Sequence, residues 1–208
     1  MLFLDHLRST PLYRALCAVH DSPEGNTLEL IDPLTAEAQI EFHRWALSMA
    51  AADRILEIGH NKGMYGLLLA HCRPGVALTA IDGNPHAAKA AELLNEDGRI
   101  TVTFQCGDSQ KVLPKLRFKF GLAWVDGGHQ REVALSDLRQ CSRLAIPWVA
   151  VDDTAYPTVA DAVADWLAKA PYEEVLNPYL AHDSRKARLY RRVGNPAAVP
   201  GVKPTTQA

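Results

Sequence analysis

Five short apolar runs each close on an acidic residue, and that recurrence limits the fold more than any other feature of the chain. Residues 54–57, 76–81, 100–105, 121–125 and 148–151 are rich in valine, isoleucine and leucine. They end on or run into Glu57, Asp82, Asp108, Asp126 and Asp152. Stretches whose apolar residues recur at helical spacing separate them, as in an open α/β sheet of mostly parallel strands. In such a sheet a ligand lies beyond the carboxyl ends of the strands, near the point where strand order reverses. One strand-end aspartate is as readily a helix cap or a turn residue as a ligand. Five at equivalent places point to a shared site.

The spacing predicts the elements around those runs. A leading helix is interrupted near Pro11, and Asp32-Pro33 supplies a capping residue and a first-turn proline for a helix reaching Ala51. Helices are expected over 64–72, from Asn84-Pro85 onward, over 130–141 and over 157–168. Two late runs, 173–176 and 187–193, are expected to pair antiparallel. The expected fold is Rossmann-like and doubly wound: a mostly parallel seven-stranded sheet with a C-terminal antiparallel hairpin and helices on both faces. Residues 1–50 form an N-terminal helical segment that serves as an acceptor lid or a dimer contact, and residues 51–193 form the main domain. Residues 194–208, with three prolines and no periodicity, read as a flexible tail.

Composition removes several classes of function. With 208 residues, 48% of them hydrophobic, the chain buries a sizeable core as one domain. A formal net charge of -2 and the lack of a long basic run argue against nucleic acid as a partner. The cluster Arg185-Lys186-Ala187-Arg188 reads as the solvated face of a strand. Cys17, Cys72, Cys106 and Cys141 have neither CxxC nor zinc-finger spacing, so reduced thiols in a cytoplasmic protein are expected. No apolar stretch approaches a membrane span, and charge appears too early in Met1 to Arg8 for a signal peptide. The isolated His43, His71 and His86 read as packing or solvent-facing residues, His182 as part of a surface loop, and Trp124 and Trp148 as core.

The turn Glu57-Ile58-Gly59-His60-Asn61-Lys62-Gly63 lacks both the G-x-G-x-x-G of a dinucleotide fold and the GK[ST] ending of a phosphate loop. Its glycines let backbone approach a ligand, and Asp82 at the next strand end can accept hydrogen bonds from a ribose diol. With Asp82 and Cys106-Gly107-Asp108-Ser109 in order, residues 50–193 resemble class I S-adenosylmethionine-dependent methyltransferases. The resemblance implies S-adenosyl-L-methionine as cofactor, bound by Glu57, Gly59, Asn61, Gly63, Asp82, Asp108 and Ser109. The turn would lie against the methionine part, Asp82 would hold the ribose hydroxyls and Asp108 would approach the adenine amine. Two positions depart from the family pattern. Asn61 replaces a common glycine, and Tyr65 stands where a small hydroxyl residue often touches the cofactor carboxylate.

The segment Val125-Asp126-Gly127-Gly128-His129, followed by Val151-Asp152-Asp153-Thr154, is similar to the metal-dependent O-methyltransferases that act on sugar hydroxyls, with their D-x-x-H segment and later acidic pair. The resemblance implies Mg2+, or another divalent cation, on Asp126, Asp152 and Asp153, with His129 as general base. Three carboxylates suit a hard cation, and a neutral imidazole is a competent base near physiological pH. Neighbours in an extended strand point to opposite faces, so Asp152 and Asp153 share an ion only if the strand has begun to turn. The expected partner is a small-molecule or oligosaccharide acceptor, and homodimers are common among the relatives. A catechol or phenol O-methyltransferase and an inactive S-adenosylmethionine-binding protein remain as alternatives.

Overall fold

The computed structural model describes residues 3–19 and 33–194. Its helices and strands alternate in the predicted order. Helices α1 (Phe3–Ser9), α2 (Pro11–Cys17) and α3 (Pro33–Ala50) lead into β1 (Arg54–Ile58), α4 (Met64–Cys72), β2 (Ala77–Asp82), α5 (Ala87–Asp97) and β3 (Thr101–Cys106). Then follow α6 (Ser109–Val112) with a 3-10 turn, β4 (Leu122–Val125), α7 (Arg131–Arg143), β5 (Trp148–Val151), α8 (Pro157–Leu167), β6 (Tyr172–Val175) and β7 (Arg188–Arg192). The first break falls at Thr10-Pro11, where the Thr10 hydroxyl accepts from the Tyr13 amide and proline occupies the first turn of α2. The Asp32 cap and the 194–208 tail lie outside the described residues, apart from Gly194.

The sheet order is β3-β2-β1-β4-β5-β7-β6, parallel from β3 to β5, with β7 antiparallel to both β5 and β6. Strand order reverses between β1 and β4, which fixes the place for a cleft. Side chains of the central strands alternate between two cores. Ile55, Leu78, Leu122, Trp124, Trp148 and Ala150 face one, and Leu56, Ile81, Ala123, Val125, Val149 and Val151 face the other. Every residue of β4 and β5 is buried, as expected for strands covered on both faces. Leu4, Leu7, Leu12, Tyr13 and Leu16 of α1 and α2 belong to the first core, so the N-terminal helices share the sheet's hydrophobic cluster. Among the described residues, no helix is long and apolar enough to cross a membrane.

A histidine is wedged against the first core. The ring of His43, on α3, lies 3.9 Å from the Trp124 ring and 5.2 Å from that of Tyr65, while Tyr65 stacks on Trp124 at 5.0 Å. Burial lowers the His43 pKa from 6.5 to about 4, partly opposed by the backbone carbonyl of Gln39. Between those values the unfolded chain binds a proton that the folded chain refuses, so stability falls as pH drops from 6.5 towards 4. Replacing His43→Phe should remove roughly 2 kcal/mol of the stability lost between pH 7 and pH 5. Urea melts at the two pH values measure this; an unchanged difference refutes it.

Candidate functional site

Backbone contact between two strand ends builds the floor of the site. The Gly59 amide donates to the Ile81 carbonyl at 2.9 Å, and the Asp126 amide donates to that of Ile58 at 2.8 Å. Gly59 has φ +92°, and a Cβ there would sit 1.9 Å from the Asp126 carbonyl oxygen. Only glycine lets the two turns meet. Over this floor lies a cleft of about 780 Å³, running from Asp82, Asn84 and Ser109 at one end to Asp126, His129 and Arg185 at the other.

Asp82 organises the first end. Its Oδ2 accepts from the His60 and Asn61 amides at 2.8 and 2.7 Å, and its Oδ1 accepts from the Asn84 amide at 2.7 Å. Two carboxylate oxygens offer about four lone-pair directions, so one remains for a ligand hydroxyl. Gly59, Asn61, Asp82 and Ser109 line the cleft together with Gly83, Asn84, His86 and Gly107.

Glu57, Gly63 and Asp108 are placed elsewhere. Glu57 is 1% exposed and pairs with His60, which is 2% exposed, at 2.5 Å from Oε2 to Nδ1 beneath the turn. Burial raises the Glu57 pKa and His60 opposes it. Gly63 has φ +74°, and a Cβ there would meet Ala90 and Leu94 at 3.1 Å, so it lets α4 and α5 pack closely. Asp108 caps α6 through its Oδ1, which accepts from the Gln110 amide at 3.0 Å.

At the other end Asp126, His129 and Asp153 converge, with one ligand atom from each lying within 4.8 Å of the others. His129 Nε2 is 3.0 Å from Asp153 Oδ2, and its ring stacks on Tyr156 at 4.8 Å. The side chain remains 46% exposed. The nearby carboxylate of Asp153 raises the His129 pKa, partly opposed by burial. β5 ends at Val151, and Asp153 takes φ +57°, so the chain has turned before the second acid. Asp152 and Asp153 consequently do different things. Asp153 faces His129, while Asp152 Oδ1 accepts from the Asp153 amide at 2.8 Å and Oδ2 lies 3.7 Å from Arg185. Burial, reinforced by their carboxylate neighbours, raises the pKa of both Asp126 and Asp152. The site holds more negative charge than its one guanidinium balances.

That guanidinium corrects the sequence reading of 185–188. Arg185 and Lys186 precede β7, and Ala187 is fully buried. The Arg185 side chain turns into the cleft, with Nε 3.7 Å from Asp153 Oδ1. No motif marks Arg185, Tyr156 or His86 as cleft residues; Arg185 arrives from the connection before β7 and Tyr156 from the turn after β5. Gln39, on α3, also borders this end of the site through an inner pocket described below.

Residues 56–154, just under half of the chain, match the model of a family described as a methyltransferase domain. No curated protein matches the chain in sequence. Among solved structures, the fold is similar to a methyltransferase of Podospora anserina bound to S-adenosylhomocysteine, with TM-score 0.65, 14% identity, and coverage of 90% of this chain and 92% of that one. It is also similar to the O-methyltransferase TomG of Streptomyces achromogenes in complex with S-adenosylmethionine, with TM-score 0.58, 19% identity, and coverage of 93% and 100%. A third is a Bacillus cereus O-methyltransferase bound to S-adenosylhomocysteine, with TM-score 0.56, 14% identity, and coverage of 90% and 87%.

The close approach of the two turns makes Gly59 the most sensitive position in the cleft floor. Gly59→Ala should cost at least about 3 kcal/mol, combining positive-φ strain with a backbone clash. Gly75, also at positive φ but with open space around its Cβ, is the control. Gly75→Ala should cost about 1 kcal/mol. Chemical denaturation of both variants checks the contrast, and equal losses would refute it.

Proposed function

We propose that this chain is an S-adenosyl-L-methionine-dependent, magnesium-assisted O-methyltransferase that acts on a hydroxyl of a sugar or saccharide. The observation that carries the reading is the convergence of Asp126, His129 and Asp153 at one end of a cleft whose other end presents Asp82 and Ser109. Complexes of TomG with S-adenosylmethionine and of the Podospora and Bacillus proteins with S-adenosylhomocysteine support the choice of cofactor.

The residues fit both groups. Asp82 keeps one lone-pair direction for a ribose hydroxyl, the Gly59–Asn61 turn brings backbone to the cleft wall, and Ser109 borders the adenine end. Asp126 and Asp153 supply hard oxygen donors, and the excess negative charge around them suits a divalent cation. Asp152 supports that pair by fixing the Asp153 amide. When bound, S-adenosylmethionine supplies a methyl activated by a positive sulfonium, and a divalent cation supplies Lewis acidity.

His129 provides the proton acceptor. Asp153 engages its Nε2, which orients the ring and stabilises the imidazolium that forms; Nδ1 is the nitrogen left for the acceptor hydroxyl proton. Tyr156 holds the ring from one face. Closely held reactants matter here, because alignment of acceptor oxygen and methyl carbon supplies much of the rate. Tyr156 is half exposed beside His129, and its flat surface also favours a second reading, a catechol or phenol acceptor. Four free cysteines support a cytoplasmic location.

His129→Ala should lower kcat by about 10²- to 10⁴-fold and leave S-adenosylhomocysteine affinity unchanged in calorimetry. Turnover equal to wild type would remove His129 from the mechanism. EDTA should abolish turnover, with recovery on adding Mg2+; activity that persists in chelator would refute the metal. An acceptor screen of sugars against catechols separates the two substrate readings.

A further inference from the structure

Behind the acidic cluster, on the side away from the adenine end, lies a second pocket that shares Asp126 and Arg185 with the cleft. It measures about 70 Å³ and is walled by Tyr65, Trp124 and His43, with Gln39, Asp152 and the shared pair among its polar groups. An apolar cavity of about 150 Å³ holds a benzene ring, so this one is too small for an aromatic or a sugar ring. It has room for a group the size of a carboxylate.

Beside the His43 ring and the Tyr65 hydroxyl, two of its non-acidic polar groups, Gln39 and Arg185, are donors left short of partners among the described residues. Gln39 is 6% exposed, and its Nε2 has no hydrogen-bond partner among the described residues. A buried amide in that condition costs free energy unless a ligand completes it. Arg185 carries five N–H donors, yet among the described residues its guanidinium makes only the two 3.7 Å ion pairs with Asp152 and Asp153. At that length the pairs are Coulombic and leave the hydrogen-bonding fork open.

The chain invests heavily in holding Arg185 there. Asp183 is fully buried, and its carboxylate accepts from the Arg185 amide at 2.9 Å and the Ala187 amide at 2.7 Å. The Arg185 carbonyl accepts from the Ala155 amide at 3.0 Å, that of Lys186 accepts from the Thr154 hydroxyl, and that of Ala187 accepts from the Asn177 side chain at 2.8 Å. Lys186 takes φ +61° within this bracket. The bracket thereby fixes the backbone from which the guanidinium reaches the pocket.

We propose that this inner pocket seats a carboxylate through Arg185 and Gln39, and that the acceptor is therefore a hydroxyl compound that also bears an acid, of the uronic-acid or hydroxybenzoate kind. The inference rests on the methyl-transfer reading, because Asp126 and Asp152 border the same space and repel an anion until a dication offsets them. Three carboxylates against one guanidinium and one dication leave the site neutral before the sulfonium arrives. The same chemistry has one other source, the carboxylate of the cofactor's methionine end, and the test separates the two.

Calorimetry with Mg2+ present should show wild type binding glucuronate at least tenfold more tightly than glucose, or 3,4-dihydroxybenzoate at least tenfold more tightly than catechol. Arg185→Gln and Gln39→Leu should each erase most of that preference, while Arg185→Lys keeps part of it. S-adenosylhomocysteine and 5′-methylthioadenosine, which lacks the amino-acid end, form the second arm. If the variants weaken the first and spare the second, the pocket holds the cofactor's carboxylate: the seat stands and the acidic acceptor is refuted. If wild type shows no acid preference in either pair and the variants bind S-adenosylhomocysteine as wild type does, the seat is refuted. The acid preference of wild type is read without any variant, so loss of folding in one does not remove the test. A wild type that binds neither nucleoside refutes the methyl-transfer reading, while the acid arm, run with Mg2+ alone, still reports on the pocket.

Discussion

The site depends on one backbone contact, the meeting of the turn after β1 with the turn after β4 across Gly59. Strand order reverses between those two strands, which opens a crevice, and the missing Cβ at Gly59 lets its two lips share a floor. The Asp82 carboxylate then ties the first lip to β2 through two amides of the turn. On the second lip, Asp126 leads directly into the Gly127-Gly128-His129 segment, so His129 and Asp126 are carried by one short stretch of backbone. Beneath, Glu57 and His60 form a buried polar pair that fixes the turn from below. Polar atoms placed this deep hold position because their alternatives are unpaired and costly.

From this floor the chemistry follows by position. The end near Asp82 is electrically settled, its carboxylate already answered by three amides. The opposite end is not, because Asp126, Asp152 and Asp153 crowd around a single guanidinium and an exposed imidazole. A cleft with one quiet end and one end in charge excess is well suited to a reaction that brings in cations and releases a proton. The two aspartates after β5 divide the labour, since the left-handed turn at Asp153 sends one carboxylate to His129 and leaves the other to hold the backbone.

Much of this was legible in the sequence, because strand runs and helical spacing are local properties. The sheet, its hairpin and the strand-end position of Asp82, Asp126 and Asp152 follow from periodicity alone. What an aspartate does at a strand end is another matter. Asp82 and Asp108 occupy equivalent places, yet one organises the cleft and the other caps α6, and both behaviours use the same acceptor chemistry. The second glycine of the turn was legible as a glycine requirement but not as one set by helix packing against Ala90 and Leu94. Arg185 was misread because its role depends on β7 running against its neighbours, which a one-dimensional pattern of charges does not encode. Gln39 carried no signal at all, since what sets it apart is a buried side-chain amide with no hydrogen-bond partner among the described residues.

The reversed direction of β7 has an architectural consequence. In the parallel part of the sheet, every chain segment reaching the cleft leaves a strand on its way to a helix, so its course is constrained by the crossover. β7 instead enters the sheet from the cleft side, and the stretch between Val175 and Arg188 is a bracket pinned at Asn177 and Asp183. That bracket bears on the acids after β5 directly, through Arg185 and through the Thr154 and Ala155 hydrogen bonds, while the glycine floor between β1 and β4 lies outside its reach; a change of charge in it shifts the electrical balance of one end of the cleft and leaves the other as it stands.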